Sequence, residues 1–166
     1  MEYIYCYDSP LGPIHMASDG EALIGLWLEG QKYFAQTLGP EVQEADLPIF
    51  HQTAAWLDAY FAGKVPEVAI PMHLKGTPFQ MEVWEILCQI PYGQTITYGQ
   101  IARQIAAKRG RKTMSAQAVG GAVGRNPISI IVPCHRVMGA DGSLTGYAGG
   151  VDKKMALLTL EGVNLT

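Results

Sequence analysis

Apolar and aromatic residues in the first third of the chain fall into short runs, at positions 3–7, 14–17 and 22–28. Asp8-Ser9-Pro10-Leu11-Gly12 and Asp19-Gly20 separate them, the second being a hairpin signal, so this region is expected to form strands. The period then changes. Phe50, Ala54, Leu57 and Phe61 recur at helical spacing, with Gly63 just past the end. The stretch 64–76 holds Pro66 and Pro71 and little periodicity. It divides the chain into an N-terminal domain, 1–75, and a C-terminal domain, 76–166.

The second half reads as mostly helical. Thr77-Pro78-Phe79-Gln80 is a capping box with proline at the first helical position, opening a helix that turns Phe79, Val83, Leu87 and Ile90 to the core. Pro91-Tyr92-Gly93 stops it. Thr97-Tyr98-Gly99-Gln100 is a second capping box, starting a helix through Ile101, Ala102 and Ile105 to about Lys108. A basic loop, 109–112, follows, and Ser115 can cap a third helix to about Gly124, interrupted at Gly120-Gly121 and ended by Asn126-Pro127. Two short helices joined by a basic loop look like a helix-turn-helix. The paired glycines cost helix stability, which suits close approach of another backbone, either a neighbouring helix or a nucleic acid. The whole is an α+β chain.

Composition adds limits. Nearly half of the 166 residues are apolar, enough for a packed core. No apolar run reaches the roughly 20 residues that span a bilayer. The first residues lack the pattern of a secretory signal. Three widely spaced cysteines, Cys6, Cys88 and Cys134, argue against a disulfide framework and for a reducing, cytoplasmic setting. Cys6 and Cys88 are expected to serve as small hydrophobes. With neither Cys-x-x-Cys nor His-x-x-x-His spacing, no metal or other cofactor is expected.

Charge changes the picture more. The net charge is −3, yet residues 1–75 carry three basic residues against ten acids, and residues 76–166 nine against five. Between Glu85 and Asp141 there is no acid, while Arg103, Lys108, Arg109, Arg111, Lys112, Arg125 and Arg136 lie within that span. Such a half suits a surface that meets phosphates, or a solvated helix face balanced by acids elsewhere.

The β-branched run 128–132 is expected to form a buried strand leading into Pro133-Cys134-His135-Arg136. A thiolate is the reactive form of cysteine, and it needs a base or a positive charge to form at neutral pH. His135 is the nearby base, directly or through a water, with Arg136 adding positive potential. Glu161, at the end of an apolar helical run containing Met155, Leu157, Leu158 and Leu160, is the acid best placed to stabilise an imidazolium. A buried structural cysteine is the alternative. His15, His51 and His73 are isolated.

Pro133-Cys134-His135-Arg136-Val137, with Gly120-Gly121 and Asn126-Pro127 upstream and Gly146-Tyr147 and Leu160-Glu161-Gly162 downstream, resembles the O6-alkylguanine-DNA alkyltransferases. The likeness runs from Thr77 to Gly162. The N-terminal lobe matches loosely, through Ser9-Pro10-Leu11-Gly12, the small ribonuclease-H-like αβ domain such proteins carry. The resemblance implies a C-terminal lobe with a winged-helix-like helix-turn-helix, acting as a monomer on double-stranded DNA containing O6-alkylguanine. It implies that Cys134 takes the alkyl group once and irreversibly. His135, through a water and Glu161, draws off the thiol proton, and Asn126 braces the hinge before the active-site segment. Tyr98 helps to extrude the nucleotide and donates to the leaving base. Tyr147 closes the pocket with Lys154 near it, the backbone N–H of Ala148 meets O6, and the carbonyls of Cys134 and Val137 read the guanine amino group. The second helix enters the minor groove, which gives a DNA-facing set of Gln117, Ala118, Gly120, Gly121, Arg125 and Arg136. Two departures from the family stand out: Gln117 replaces a common arginine, and Ala148 replaces a serine of some members. The loop 109–114 is also longer than in compact members. A lesion-binding relative without transfer and a thiol hydrolase using Cys134, His135 and Glu161 are the competing readings.

Overall fold

The computed structural model of the chain describes residues 1–144 and 147–164, arranged as two compact units. The first comprises Met1–Lys75 with Pro127–Ser129, the second Gly76–Asn126 with Ile130–Thr166. The division therefore follows the boundary at 75/76, except that the short segment Pro127–Ser129 counts with the first unit.

In the first unit, β1 (Glu2–Ser9), β2 (Gly12–Ser18) and β3 (Leu23–Leu28) form an antiparallel meander. Both turns read from the sequence close hairpins. Ser9 and Asp19 explain why, since Ser9 Oγ accepts from Leu11 N and Asp19 Oδ1 accepts from Glu21 N and Ala22 N. A fourth strand, β4 (Val42–Glu44), pairs in parallel with β1 and completes the order β3-β2-β1-β4. It is three exposed residues long and has no alternation to announce it. Helix α1 (Pro48–Phe61) packs on β1 and β2, with Phe50 and Leu57 buried and the Phe50 ring stacked on Tyr5 at 5.5 Å. Ile128 adds a single parallel bridge to Leu26.

The second unit is built on α2 (Pro78–Leu87), α3 (Tyr98–Lys108), α4 (Ala116–Gly124) and α5 (Val151–Leu160). Both capping boxes form. Thr77 and Thr97 accept from Gln80 N and Gln100 N, and each glutamine side chain returns a bond to its cap's N–H. Ser115 caps α4, accepting from Ala118 N at 3.1 Å. The turn from α3 to α4 makes the helix-turn-helix, and α2 packs against both helices. Its anchor is Trp84, fully buried, whose indole N–H donates to Ala122 O at 2.8 Å. Gly76 makes room for that ring, since a Cβ there would lie 2.5 Å from it. Two further strands, β5 (Ile96–Thr97) and β6 (Val137–Met138), pair in parallel.

Three sequence expectations are corrected. Segment 128–132 is buried but forms no strand: after the bridge at Ile128 the chain turns, and Ile130 sits in the left-handed region at φ 69°. Helix α4 runs through Gly120-Gly121 without interruption. Cys88 lies on the exposed side of the end of α2, and Cys6 faces outward from β1, so neither fills the core. Among the described residues, no helix is long and apolar enough to cross a membrane.

Trp84 supplies both bulk and a donor, so its loss leaves a cavity and an orphaned carbonyl. Trp84→Ala is expected to lower stability by about 3–5 kcal/mol, and Trp84→Phe by about 1–2 kcal/mol, in urea unfolding of the full chain.

Candidate active site

Residues 134–136 form a single 3-10 turn that passes directly into β6, while β5 passes directly into α3. Ile96 pairs with Val137 and Thr97 with Met138, so the thiol-bearing turn and the start of α3 stand on one short ladder. This brings Tyr98, the first residue of α3, near Cys134, whose negative form raises the Tyr98 pKa in addition to the larger effect of burial.

Cys134 is 4 % exposed. Burial pushes its thiol pKa up, outweighing a hydrogen bond from the Asn126 side chain, the Lys154 ammonium and the backbone N–H groups of Cys134 and His135, all of which favour the thiolate. Burial thus works against ionisation of the thiol, while the polar groups around it favour the charged form. Asn126 is fixed by donating from Nδ2 to Val132 O at 2.8 Å, across the turn before the cysteine.

Behind the thiol, His135 Nε2 meets Glu161 Oε2 at 2.5 Å, with both side chains fully buried. Burial pulls the His135 pKa down, against the pull of Glu161 in the other direction. The other carboxylate oxygen, Oε1, accepts from Arg136 Nε at 2.7 Å and from Gly93 N at 3.0 Å. Gly93 has φ +78°, and a Cβ on it would stand 3.1 Å from Glu161 O, so glycine is required here twice over. Arg136 also donates from Nη1 to Ile90 O at 2.7 Å and lies over the Tyr92 ring at 5.7 Å.

Arg136 was expected to face DNA. Its side chain is 10 % exposed and committed to Glu161 and Ile90, so it is an internal ion-pair partner and not a phosphate contact. Gly93 and Tyr92 were read only as a helix stop. The positive φ that a Pro-Tyr-Gly turn demands was legible, but nothing in the sequence ties Gly93 to a carboxylate 68 residues later.

Lys154, in α5, is fully buried, donates from Nζ to Val137 O and lies over the Tyr98 ring at 5.9 Å. Burial lowers its pKa to about 8, with Cys134 opposing the shift. Asn126, Cys134, His135, Val137, Lys154, Glu161 and Tyr98 are thus linked by direct interactions. Tyr147 is buried and Ala148 half-buried in the turn that leads into α5. Gly146 lies outside the described residues. Among the described residues, no group of three His, Cys, Asp or Glu is placed to hold a metal ion. His15, His51 and His73 pair with Glu29, Asp46 and Asp19.

On α4, Gln117 and Ala118 are exposed. No backbone lies within 4 Å of a Cβ built on Gly120 or Gly121: the first would only graze the Tyr98 ring at 3.9 Å. Packing against a neighbouring helix therefore does not explain the pair. Arg125 is exposed and donates to Gly121 O at 3.2 Å. Arg109 is drawn to Glu82 at 2.6 Å, which leaves Arg103, Lys108, Arg111 and Lys112 as further exposed cations of the acid-free span.

Residues 78–163 match the DNA-binding domain of 6-O-methylguanine DNA methyltransferase, and residues 3–74 match its ribonuclease-like domain. The chain is a member of the methylated-DNA–protein-cysteine methyltransferase family. It is 46% identical to the Mycobacterium leprae methyltransferase over 160 residues, covering 95% of this chain and 92% of that one. It is 44% identical to the Methanosarcina acetivorans methyltransferase, covering 96% and 98%. The Mycobacterium tuberculosis OGT solved in complex with DNA superimposes with a TM-score of 0.83 at 45% identity, covering 96% of this chain and 92% of that one. The methyltransferase fold, an N-terminal sheet domain and a C-terminal helical DNA-binding domain, is thereby settled for this chain.

Two outcomes follow from the buried charges. Gly93→Ala is expected to destabilise the methyltransferase by about 1–3 kcal/mol in chemical unfolding, because it forces a strained φ and crowds Glu161. The Lys154 pKa is lower folded than unfolded, so the unfolded chain binds more protons between pH 8 and the ordinary lysine value. Stability from this group is therefore expected to rise as pH climbs through about 8. In unfolding measured from pH 7 to 10, Lys154→Met should lack that rise relative to the native chain.

Proposed function

We propose that this methyltransferase repairs DNA by direct reversal, moving the alkyl group of O6-alkylguanine to Cys134 in a single irreversible turnover. The observation that carries the assignment is a buried thiol in a single turn with His135, itself held 2.5 Å from a buried carboxylate. Cys6 and Cys88 instead face acids: burial, with Asp8, Glu29 and Glu44 near the first and Glu85 near the second, pushes both thiols up.

The Cys134 proton passes to His135, through a water, and Glu161 stabilises the imidazolium. The thiolate, offset by the Asn126 amide and the Lys154 ammonium, attacks the alkyl carbon in line. The S–C bond forms as the C–O6 bond breaks, and its electron pair goes to guanine. Tyr98 donates to the leaving base, and the carbonyls of Cys134 and Val137 accept from its amino group. The product thioether is a poor leaving group, so the chain is spent. O6 in a stacked base cannot be reached by a buried sulfur, so the nucleotide must be extruded. Tyr147 and the Ala148 N–H are assigned to hold it.

Helix α4 is assigned to the minor groove. The surroundings of Gly120 and Gly121 support this, since a Cβ on either would meet only a side chain, Tyr98 at 3.9 Å or Arg125 at 3.5 Å, and no neighbouring backbone. Arg125 with Lys108, Arg111 and Lys112 would meet phosphates, and Gln117 would fill the vacated stack. Three free cysteines support a reducing, cytoplasmic site of action.

Incubation with DNA carrying labelled O6-methylguanine tests the assignment. Label should reach about one equivalent per chain, lie on the peptide containing Cys134, and vanish in Cys134→Ala. Continued turnover would point to a hydrolase, and binding without transfer to a lesion sensor. Gln117→Arg should raise DNA affinity and steepen its salt dependence by about one phosphate contact, read by anisotropy over a salt series.

A further inference from the structure

We propose that Arg136 is a positioning residue for the proton relay: by holding one oxygen of Glu161, it keeps the His135–Glu161 pair unloaded and aimed, ready for the Cys134 proton. The inference rests on Cys134, His135 and Glu161 forming that relay.

The geometry divides the two carboxylate oxygens: Oε1 is shared by Arg136 and the uncharged Gly93 N–H, and Oε2 goes to His135. Arg136 Nε takes Oε1 at 2.7 Å, and His135 Nε2 takes Oε2 at 2.5 Å. Arg136 is itself pinned from behind by Ile90 O at 2.7 Å and by the Tyr92 ring at 5.7 Å. It cannot swing away without abandoning both.

A carboxylate and an imidazole this close and this dry compete for a proton. Burial resists a charged His135, but with no cation on Oε1 the buried negative charge of the carboxylate favours capture of a proton by the pair. His135 would then enter the reaction already loaded, with no site for the thiol's proton. The guanidinium removes the cause by neutralising Glu161 without a proton. The other groups acting on the pair do not replace it. The Lys154 ammonium from α5 also opposes loading of His135, but its hydrogen bond goes to Val137 O. The Tyr92 hydroxyl donates to Leu160 O at 3.4 Å and is neutral. Cys134 is the proton donor.

The test is the pH profile of alkyl transfer from O6-methylguanine DNA, measured as a second-order rate from pH 5 to 9 with DNA affinity measured in parallel. In Arg136→Met the acid limb should move to higher pH. The rate should fall about tenfold at neutral pH for each unit of that move, recover towards pH 9, and leave DNA affinity unchanged. Arg136→Lys, which keeps the charge, should restore the limb to near its native position. An Arg136→Met variant slowed by one factor at every pH, or one that loses DNA affinity instead, overturns the proposal.

The double variant Arg136→Met/Glu161→Gln removes both buried charges together and guards against misfolding of the single variant. It should transfer at least as fast as Glu161→Gln alone, since Arg136 acts through Glu161; a further loss of about tenfold overturns the proposal. If the native chain puts no label on Cys134, the relay itself fails. If the native chain transfers normally and Arg136→Met keeps its pH profile, only the role of Arg136 fails.

Discussion

A carboxylate removed from water must find donors for both oxygens, and Glu161 finds them on two separate stretches of chain, tying both to its own. Gly93 N–H comes from the turn after α2, Arg136 and His135 from the 3-10 turn, and the carboxylate itself stands at the C-terminal end of α5. Each donor constrains the element that bears it. The turn at 91–93 must present a backbone N–H at a positive φ, and the 3-10 turn must point two consecutive side chains at one residue. Helix α5 must stop where it does. Remove the carboxylate, and these pieces lose their common reason for being where they are.

The thiol in front of this arrangement is stored, not armed. Burial outweighs every group that favours its charge and pushes the Cys134 thiol up. For a thiol that the proposed reaction spends in one transfer, this has a clear logic. A permanently ionised sulfur would meet oxidants and stray electrophiles, whereas a buried neutral one waits for a base to act. Lys154 and Asn126 contribute the other half, a preorganised place for negative charge that costs little reorganisation when the proton leaves.

Local rules made much of this legible. Thr77, Thr97 and Ser115 announced three helix starts, and the structure honours each, because caps satisfy orphan N–H groups wherever the helix lies. The pairing of His135 with Glu161 was also readable, the histidine from its place beside Cys134 and the acid from its place at the end of an apolar helical run. Arg136 was misread because a basic residue in a basic span looks like surface; only the fold reveals that its partner is a buried carboxylate. Segment 128–132 was misread because β-branched residues favour strands, yet Ile130 is held at a left-handed φ that no propensity suggests. Strand β4 was invisible, being short, exposed and without alternation.

Thr97 belongs to two structures at once, the last rung of the β5–β6 ladder and the N-cap of α3. That makes the start of α3 a fulcrum. The helix extends 11 residues from it, about 16 Å, to the basic loop at its far end. A tilt of α3 that sweeps Lys108 through several ångströms barely displaces Tyr98, which sits at the pivot. Tyr98, at that pivot, is therefore the residue of α3 whose spacing from the sulfur the ladder fixes most directly.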